Sequence, residues 1–537
     1  MSAIHLSNAW HGGRKHRLLC VLACALVLTV PAHANISQEE AALIKNCLQD
    51  YDPAGEYREL EIVYPFDKSV FPPELCPPTV RWRDPGGQSA RWLVDIDFGG
   101  QEAAIRSLVS KMRWQPSAQE WQAIKGGSSG RWARLTILGL AAGPTGAILS
   151  AGRIEMKTST EPVGAPLMFR EVNLPFEEAV RDTTNIVWRF GPLHEGKPPV
   201  VLANLPVCGN CHSFSADGKT FGMDVDFGND KGSYAISPVQ QNVELDEDKV
   251  MTWSAYTRAT SGVSGGMLPS VSPSGRYIAA TIQDKSVFLA RDDLAFSQLF
   301  FPASGLLGIY DRETGEVAPL PGADDPDYVQ TNPVWSPDGK ELVFARAKAY
   351  MSDYTPRKER RYSMILPEEY GQVFLTGERG FKFDLYRIPF NGGKGGTPVS
   401  IPGASHNGMS NYFPKFTPDG KWLVFCQAEN FMLLMPDSKL WIMPADGGEP
   451  RLMECNTNRM NSWHTFSPNG KWMVFSSKVF SDYTQLMLTR IRKDGTSTPP
   501  VLLDHLTRAD RAANIPEFVN AAPDAIQRIA PAFLDAM

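Results

Sequence analysis

Five times along the chain one apolar residue leads into a short polar turn, and a run of apolar residues follows. Residues 214–219 read F-S-A-D-G-K, 271–276 V-S-P-S-G-R, 335–340 W-S-P-D-G-K, 416–421 F-T-P-D-G-K and 466–471 F-S-P-N-G-K. In such a turn proline presets φ and glycine accepts a positive φ, so each copy predicts two antiparallel strands joined by a tight connection. The second strand is visible as Leu342, Val343 and Phe344, as Leu423, Val424 and Phe425, and as Met473, Val474 and Phe475. Outer-strand phrases follow at residues 384–388, 439–443 and 485–488, ahead of glycine turns at Gly392, Gly447 and Gly495. Self-similar four-stranded units at this spacing predict the blades of a propeller.

Ahead of the repeats the pattern is simple alternation. Trp92, Val94, Ile96 and Phe98 alternate with Leu93, Asp95 and Asp97, and Ala133, Leu135 and Ile137 with Arg134 and Thr136, the period of a half-buried strand. With further strands at 79–83, 148–157 and 166–169, the region 52–172 resembles an immunoglobulin- or fibronectin-type β-sandwich. Ser37 and Glu40 stand at capping-box spacing and predict a short helix within 35–51. Residues 506–537 are Ala-rich with Pro516, Pro523 and Pro531, which predicts short helical pieces or a mobile tail.

The phrase F-S-P-D-G-K, followed by an apolar strand and then by Asp384, Leu385 and Tyr386, resembles the TolB-like β-propeller family over about residues 200–503. The resemblance implies an all-β fold in which residues 173–505 close into a ring around a central channel, often with six blades. Five copies are legible. A sixth blade assembled from 186–190 and 200–205 with residues near the C-terminus would close the ring, and five blades is the alternative. The family also implies an envelope protein as partner.

Charge and targeting narrow the setting. Arg14, Lys15 and Arg17 precede an apolar run from Leu18 to Val30 and an A-x-A site at Ala32, His33 and Ala34, which predicts a signal peptide over 1–34 and a periplasmic or secreted protein. Cys24 stands inside the apolar run, the wrong place for a lipoprotein cysteine. No later stretch reaches the roughly 18 apolar residues of a membrane span, so no integral span is predicted. Beyond residue 34 the chain carries 50 Lys and Arg against 59 Asp and Glu, a net charge of −9, which disfavours nucleic acid as a partner. The basic run of Arg357, Lys358, Arg360 and Arg361 is broken by Glu359 and reads as a solvated loop. A hydrophobic content of 43% with 13 Trp suffices for a large β-rich core. In an oxidising compartment Cys47 with Cys76, and Cys426 with Cys455, are candidates for disulfides, without the sequence choosing among pairings.

The chemistry is concentrated in Cys208, Gly209, Asn210, Cys211 and His212, a C-x-x-C-H motif. Two thiols at this spacing can each add to a porphyrin vinyl group, and the next residue supplies the proximal imidazole, so the predicted cofactor is one covalent haem c. A thioredoxin-like site needs a helix after the motif, and a zinc site needs a second ligand pair, neither of which is present. His464 lies two residues before Phe466 as His212 lies two before Phe214, a shared register in different blades, where other copies have Pro269, Pro333 and Pro414. It is therefore a candidate distal ligand, the alternative being a histidine that merely packs at its strand. In a regular hairpin Met223 would face His212 at a Cβ separation of about 5 Å, on the same side, which makes a trans pair hard to build. Met267, Met409, Met460, His406 and an open position remain as alternatives.

Other motifs carry less. Residues 262–266 match a nucleophile elbow, but Ser264 sits in a Ser/Gly-rich loop before a blade, and no hydrolase-sized span is left over. Asp224, Asp226 and Asp230 lack the spacing and closing Glu of a calcium loop and read as solvated strand-end acids. The leading expectation is an exported monohaem electron-transfer protein with a redox partner. The alternatives are a haem redox enzyme with an open iron position and a TolB-like binding scaffold.

Overall fold

The computed structural model describes residues 37–100, 103–143, 146–205, 211–256, 264–350 and 364–534. The signal segment, Cys208 and the basic run at 357–361 lie outside them. Among the described residues the strands of propeller type pair into four four-stranded sheets and one eight-stranded sheet, which the single parallel bridge between Gly305 and Val329 divides into two four-stranded halves, giving six blades. Each of the five repeat copies forms the turn between the first two strands of a sheet. Gly218, Gly275, Gly339, Gly420 and Gly470 take φ of 68 to 72° there. In four of the five the preceding Ser or Thr hydroxyl donates to the turn's own acid or amide, as in Ser336 Oγ to Asp338 Oδ1 at 2.7 Å and Ser467 Oγ to Asn469 Oδ1 at 2.7 Å, and in the fifth Ser272 Oγ meets Ser274 Oγ at 3.2 Å.

We number the blades from the one that joins the chain's ends. Blade 1 is ordered Ala512–Phe518, Leu167–Val172, Val187–Gly191, Val200–Ala203 from the channel outward. Blade 2 begins with His212–Phe214, blade 3 with Met267–Val271, blade 4 with Tyr328–Trp335, blade 5 with Ser410–Phe416 and blade 6 with Asn461–Phe466. Two sequence expectations change. The segment expected as a tail supplies the innermost strand of blade 1, because Ala512, Ala513, Ile515 and Phe518 are apolar enough to be buried there. The strand expected at 166–169 belongs to blade 1 and not to the sandwich, since its edges pair with Ala512–Phe518 and Val187–Gly191.

The N-terminal unit has a six-stranded and a three-stranded sheet that share one apolar core. Its central strand Arg91–Asp97 is buried on both faces, not half-buried: Leu93 turns to Leu43 and Ile44 of helix Gln38–Asp50, while Val94 and Ile96 turn inward. The helix carries the expected capping box between Ser37 and Glu40. A second helix, Ala118–Gly127, has the same device at Ser117 and Glu120, a signal legible in the sequence but passed over. Two edge strands, Arg58–Glu59 and Ser69–Phe71, run parallel to Ile148–Thr158, unlike a purely antiparallel sandwich. The same core continues into Trp472, Val474 and Leu488 of blade 6, and the buried Tyr64 hydroxyl accepts the Leu502 N–H at 2.9 Å, so the unit is packed onto the ring.

None of the four cysteines expected to pair is in a disulfide. Cys47 is buried on the inner face of the first helix, and Cys76 faces the Leu193 carbonyl at 3.7 Å. Cys426 sits in the second strand of blade 5 with its thiol toward blade 6, whereas Cys455 follows the fourth strand, near Ser497. Burial pushes both of these thiols up to about 12.

Candidate functional site

All six innermost strands contribute to one cavity of about 80 Å³ on the ring axis. One layer of its wall is Pro516, His212, Pro269, Pro333 and His464, from blades 1, 2, 3, 4 and 6, and Pro414 holds the equivalent register position in blade 5. The two histidines thus replace proline at equivalent positions and flank blade 1 on either side. The next layer includes Glu517 of blade 1 and Lys415 of blade 5. Just before the layer, Leu268, Asn332, Phe413, Trp463 and Ile515 adopt φ between 48 and 55°. That conformation is costly for bulky side chains, and its recurrence around the ring is a feature of the channel wall. It also stacks Phe413 on Trp463 with centroids 4.7 Å apart.

His212 is 4% exposed, and neither ring nitrogen has a partner in hydrogen-bond geometry, although the Ile515 backbone lies near enough to act on the ring. Burial pushes its pKa down to about 3, with the Arg170 and Lys415 cations adding to the shift and the backbone at Ile515 opposing it. The ring is therefore neutral, the form that ligates a metal. Its strand neighbour across the hairpin is Met223, as the repeat register requires. The preceding residue is pinned: Cys211 N–H donates to Asp224 Oδ2 at 3.1 Å, and Asp224 N–H donates to the Cys211 carbonyl at 3.0 Å.

His464 is equally buried and, through desolvation, also pushed down to about 3. Unlike His212 it is engaged: Nε2 lies 3.1 Å from the Val424 carbonyl, and Nδ1 lies 3.8 Å from Cys426 Sγ, both on blade 5. His406 is exposed and sits on Asp384 at 3.1 Å, away from the cavity lining.

Of the three acids expected at solvated strand ends two are not solvated, and Asp230 is half-buried. Asp224 and Asp226 are buried, and Asp226 pairs with Lys231. Asp230 accepts from the Thr252 and Ser254 hydroxyls, and no group of metal-holding side chains occurs among the described residues. Ser264 is buried with its hydroxyl accepting the Gln283 N–H at 2.8 Å, and a strand rather than a helix follows it, so there is no elbow.

Beside Ser264, Asp284 is fully buried, accepts the Gly265 N–H at 2.8 Å, and has Oδ2 without a partner. Desolvation pushes its carboxyl up to about 6. A folded-state value above the unfolded one gives stability that is full below about pH 4 and lost as pH rises through 6. Urea midpoints measured from pH 4 to 7 should show wild type losing about 2–3 kcal/mol across that window relative to Asp284→Asn, which has no proton to lose. Parallel curves for the two proteins would exclude the buried acid.

The donor chemistry fits a haem held through Cys211 and His212: a neutral, unpartnered imidazole directly follows the thiol. The cavity itself is small, about 80 Å³, and Cys208, the other residue that would hold the group, lies outside the described residues. No family model matches the chain, and a comparison with curated proteins finds no relative. Among solved structures the chain is similar to a putative TolB from Agrobacterium tumefaciens, at 13% identity over 67% of this chain and 100% of that one, with a TM-score of 0.34. It is similar also to a periplasmic gluconolactonase from Pseudomonas aeruginosa, at 12% identity over 62% and 82% with a TM-score of 0.35. A putative 6-phosphogluconolactonase from Bacteroides uniformis gives 11%, 66% and 99%, with a TM-score of 0.33. The propeller assignment rests on the strand pairing above. No helix among the described residues is long and apolar enough to cross a membrane.

Proposed function

We propose that the protein is an exported β-propeller that carries one covalent haem c at Cys208, Cys211 and His212 and serves electron transfer to a redox partner in the envelope. The carrying observation is His212: a buried, neutral imidazole with both nitrogens unpartnered, placed on the channel wall immediately after a cysteine of C-x-x-C-H. An orphaned buried polar group costs about 1–3 kcal/mol, and metal ligation removes that cost. Haem iron, when bound, supplies one-electron chemistry. The chain's own residues position and shield: Asp224 fixes the Cys211 backbone, and the aromatic pair Phe413 and Trp463 lines the axis. Protein made beside a haem-attachment system should give a c-type pyridine spectrum that survives acid-acetone extraction, and colourless protein would refute the reading.

For the second axial position His464 is the proposed ligand, at the cost of releasing the Val424 carbonyl, about 1–3 kcal/mol. His464→Ala is then expected to turn a low-spin ferric spectrum high-spin while covalent haem is retained. A wild-type spectrum that is already high-spin would favour the redox-enzyme reading, which the existing bond between His464 and Val424 supports. The third reading, a TolB-like binding scaffold, is supported by the propeller fold itself.

A further inference from the structure

Blades 3 and 6 face each other across a ring of six, and one contact joins them over the axis. The two central strands of blade 3, Tyr277–Ala290 and Gln298–Asp311, are 14 residues each, where the innermost strands have 3 to 8. Their ladder is regular up to Ile282, kinks at Gln283 with φ 51°, and resumes from Lys285 to Ala290. That second part projects about 20 Å beyond the blade at ~3.3 Å per residue. The repeat turns all lie at one end of the ring, so this hairpin leaves from the other end, where Cys211 enters the strand of blade 2.

The hairpin tip is a short 3-10 turn, Leu294–Phe296, whose carbonyls have no helical partners. Lys478, directly after the second strand of blade 6, is 3% exposed and donates from Nζ to the Leu294 carbonyl at 2.8 Å and the Ala295 carbonyl at 2.9 Å. Asp293, Asp482 and Arg459 are the charges around it, and burial pushes the ammonium down to about 8. Along its length the hairpin packs Phe301 against Phe431 of the blade 5 loop, with stacked centroids 5.2 Å apart, and against Phe374 of helix Glu368–Leu375. The hairpin is thus held at its tip by blade 6 and along its length by the helix and the blade 5 loop, and its Val287, Leu289 and Phe301 share one apolar cluster with Cys211 and Ile515.

We propose that this hairpin is a strap across the mouth of the channel, that Lys478 is its latch, and that release of the strap admits small molecules to the cavity beside His212. The inference rests on the ring geometry and does not require haem. It is tested on the full chain with Lys478→Met and with the double substitution Ala295→Cys and Lys478→Cys, oxidised to lock the tip. Hydrogen exchange at residues 285–304 should run about tenfold faster in the methionine variant, the loss expected for charge-assisted bonds to two carbonyls, while the other blades are unchanged. It should slow in the locked variant. Carbethoxylation of His212, read by peptide mass in full-length protein made without haem attachment, should follow the same order. Equal exchange in all three proteins overturns the strap, whatever iron does at His212. Equal carbethoxylation with altered exchange leaves a strap that does not govern access, and overturns that part of the proposal.

Discussion

A chain ending at Asp510 is expected to lose the closed ring altogether. It lacks Ala512–Phe518, the innermost strand of blade 1, and with it the strand that bridges blades 6 and 1 at the channel. Ile515, Phe518, Val519, Ile526, Ile529 and Phe533 all leave the core. At about 1.5–3 kcal/mol for each large side chain the loss is on the order of 10 kcal/mol, comparable to the whole stability of a domain. It also bares the edge of Leu167–Val172, a template for association with other chains. Soluble yield, a cooperative melt and protease resistance of residues 211–503 should all collapse. A truncated protein that still melts cooperatively within a few degrees of the full chain would show that blade 1 closes nothing.

That strand explains what could be seen in the sequence and what could not. Five blades announce themselves because their first two strands are contiguous and joined by a four-residue turn that opens on Ser or Thr and ends on Gly. Blade 1 has no such turn, because its first strand is residues 512–518 and its second is 167–172, so the repeat is broken by the chain ends. Composition misled for the same reason: Ala512, Ala513 and Pro516 look like a loose tail only when their pairing partner, more than 300 residues earlier, is out of view. The two-sided burial of Arg91–Asp97 was partly visible, since Leu93 breaks the alternation.

At the site, shared register was a sound guide to position and a poor one to bonding. The sequence placed His212 and His464 at equivalent points, and both line the cavity. It could not show that His464 Nε2 turns to the Val424 carbonyl on the neighbouring blade, because a strand's outward reach depends on the adjacent sheet. The disulfide expectation failed on similar grounds, since compartment and cysteine number say nothing of which strand of a blade each thiol occupies. Lys478 gave no signal in the sequence. A single lysine after a strand acquires meaning only when the opposite hairpin is long enough to meet it.

Replacing His212 by leucine separates the haem reading from the scaffold reading in one protein. In a haem protein the substitution removes the proximal ligand, so covalent haem should fall to a small fraction of wild type and the remainder should lose its low-spin spectrum, as for any c-type site without its histidine. In the same chain made without haem attachment the expected effect is reversed. His212 there is a neutral ring with two unsatisfied nitrogens among buried neighbours, and an apolar side chain of similar size removes a cost of about 1–3 kcal/mol. His212→Leu should therefore melt at the same temperature as the haem-free wild type or a few degrees higher, while Cys211→Ser leaves the melt nearly unchanged and abolishes normal two-point attachment. The combination of lost haem and undiminished apo stability is what a residue held for a metal produces. A haem-free wild type from a competent host, together with a leucine variant destabilised by more than about 2 kcal/mol, would instead mark His212 as a packing residue of the blade 2 strand and leave the propeller as a scaffold.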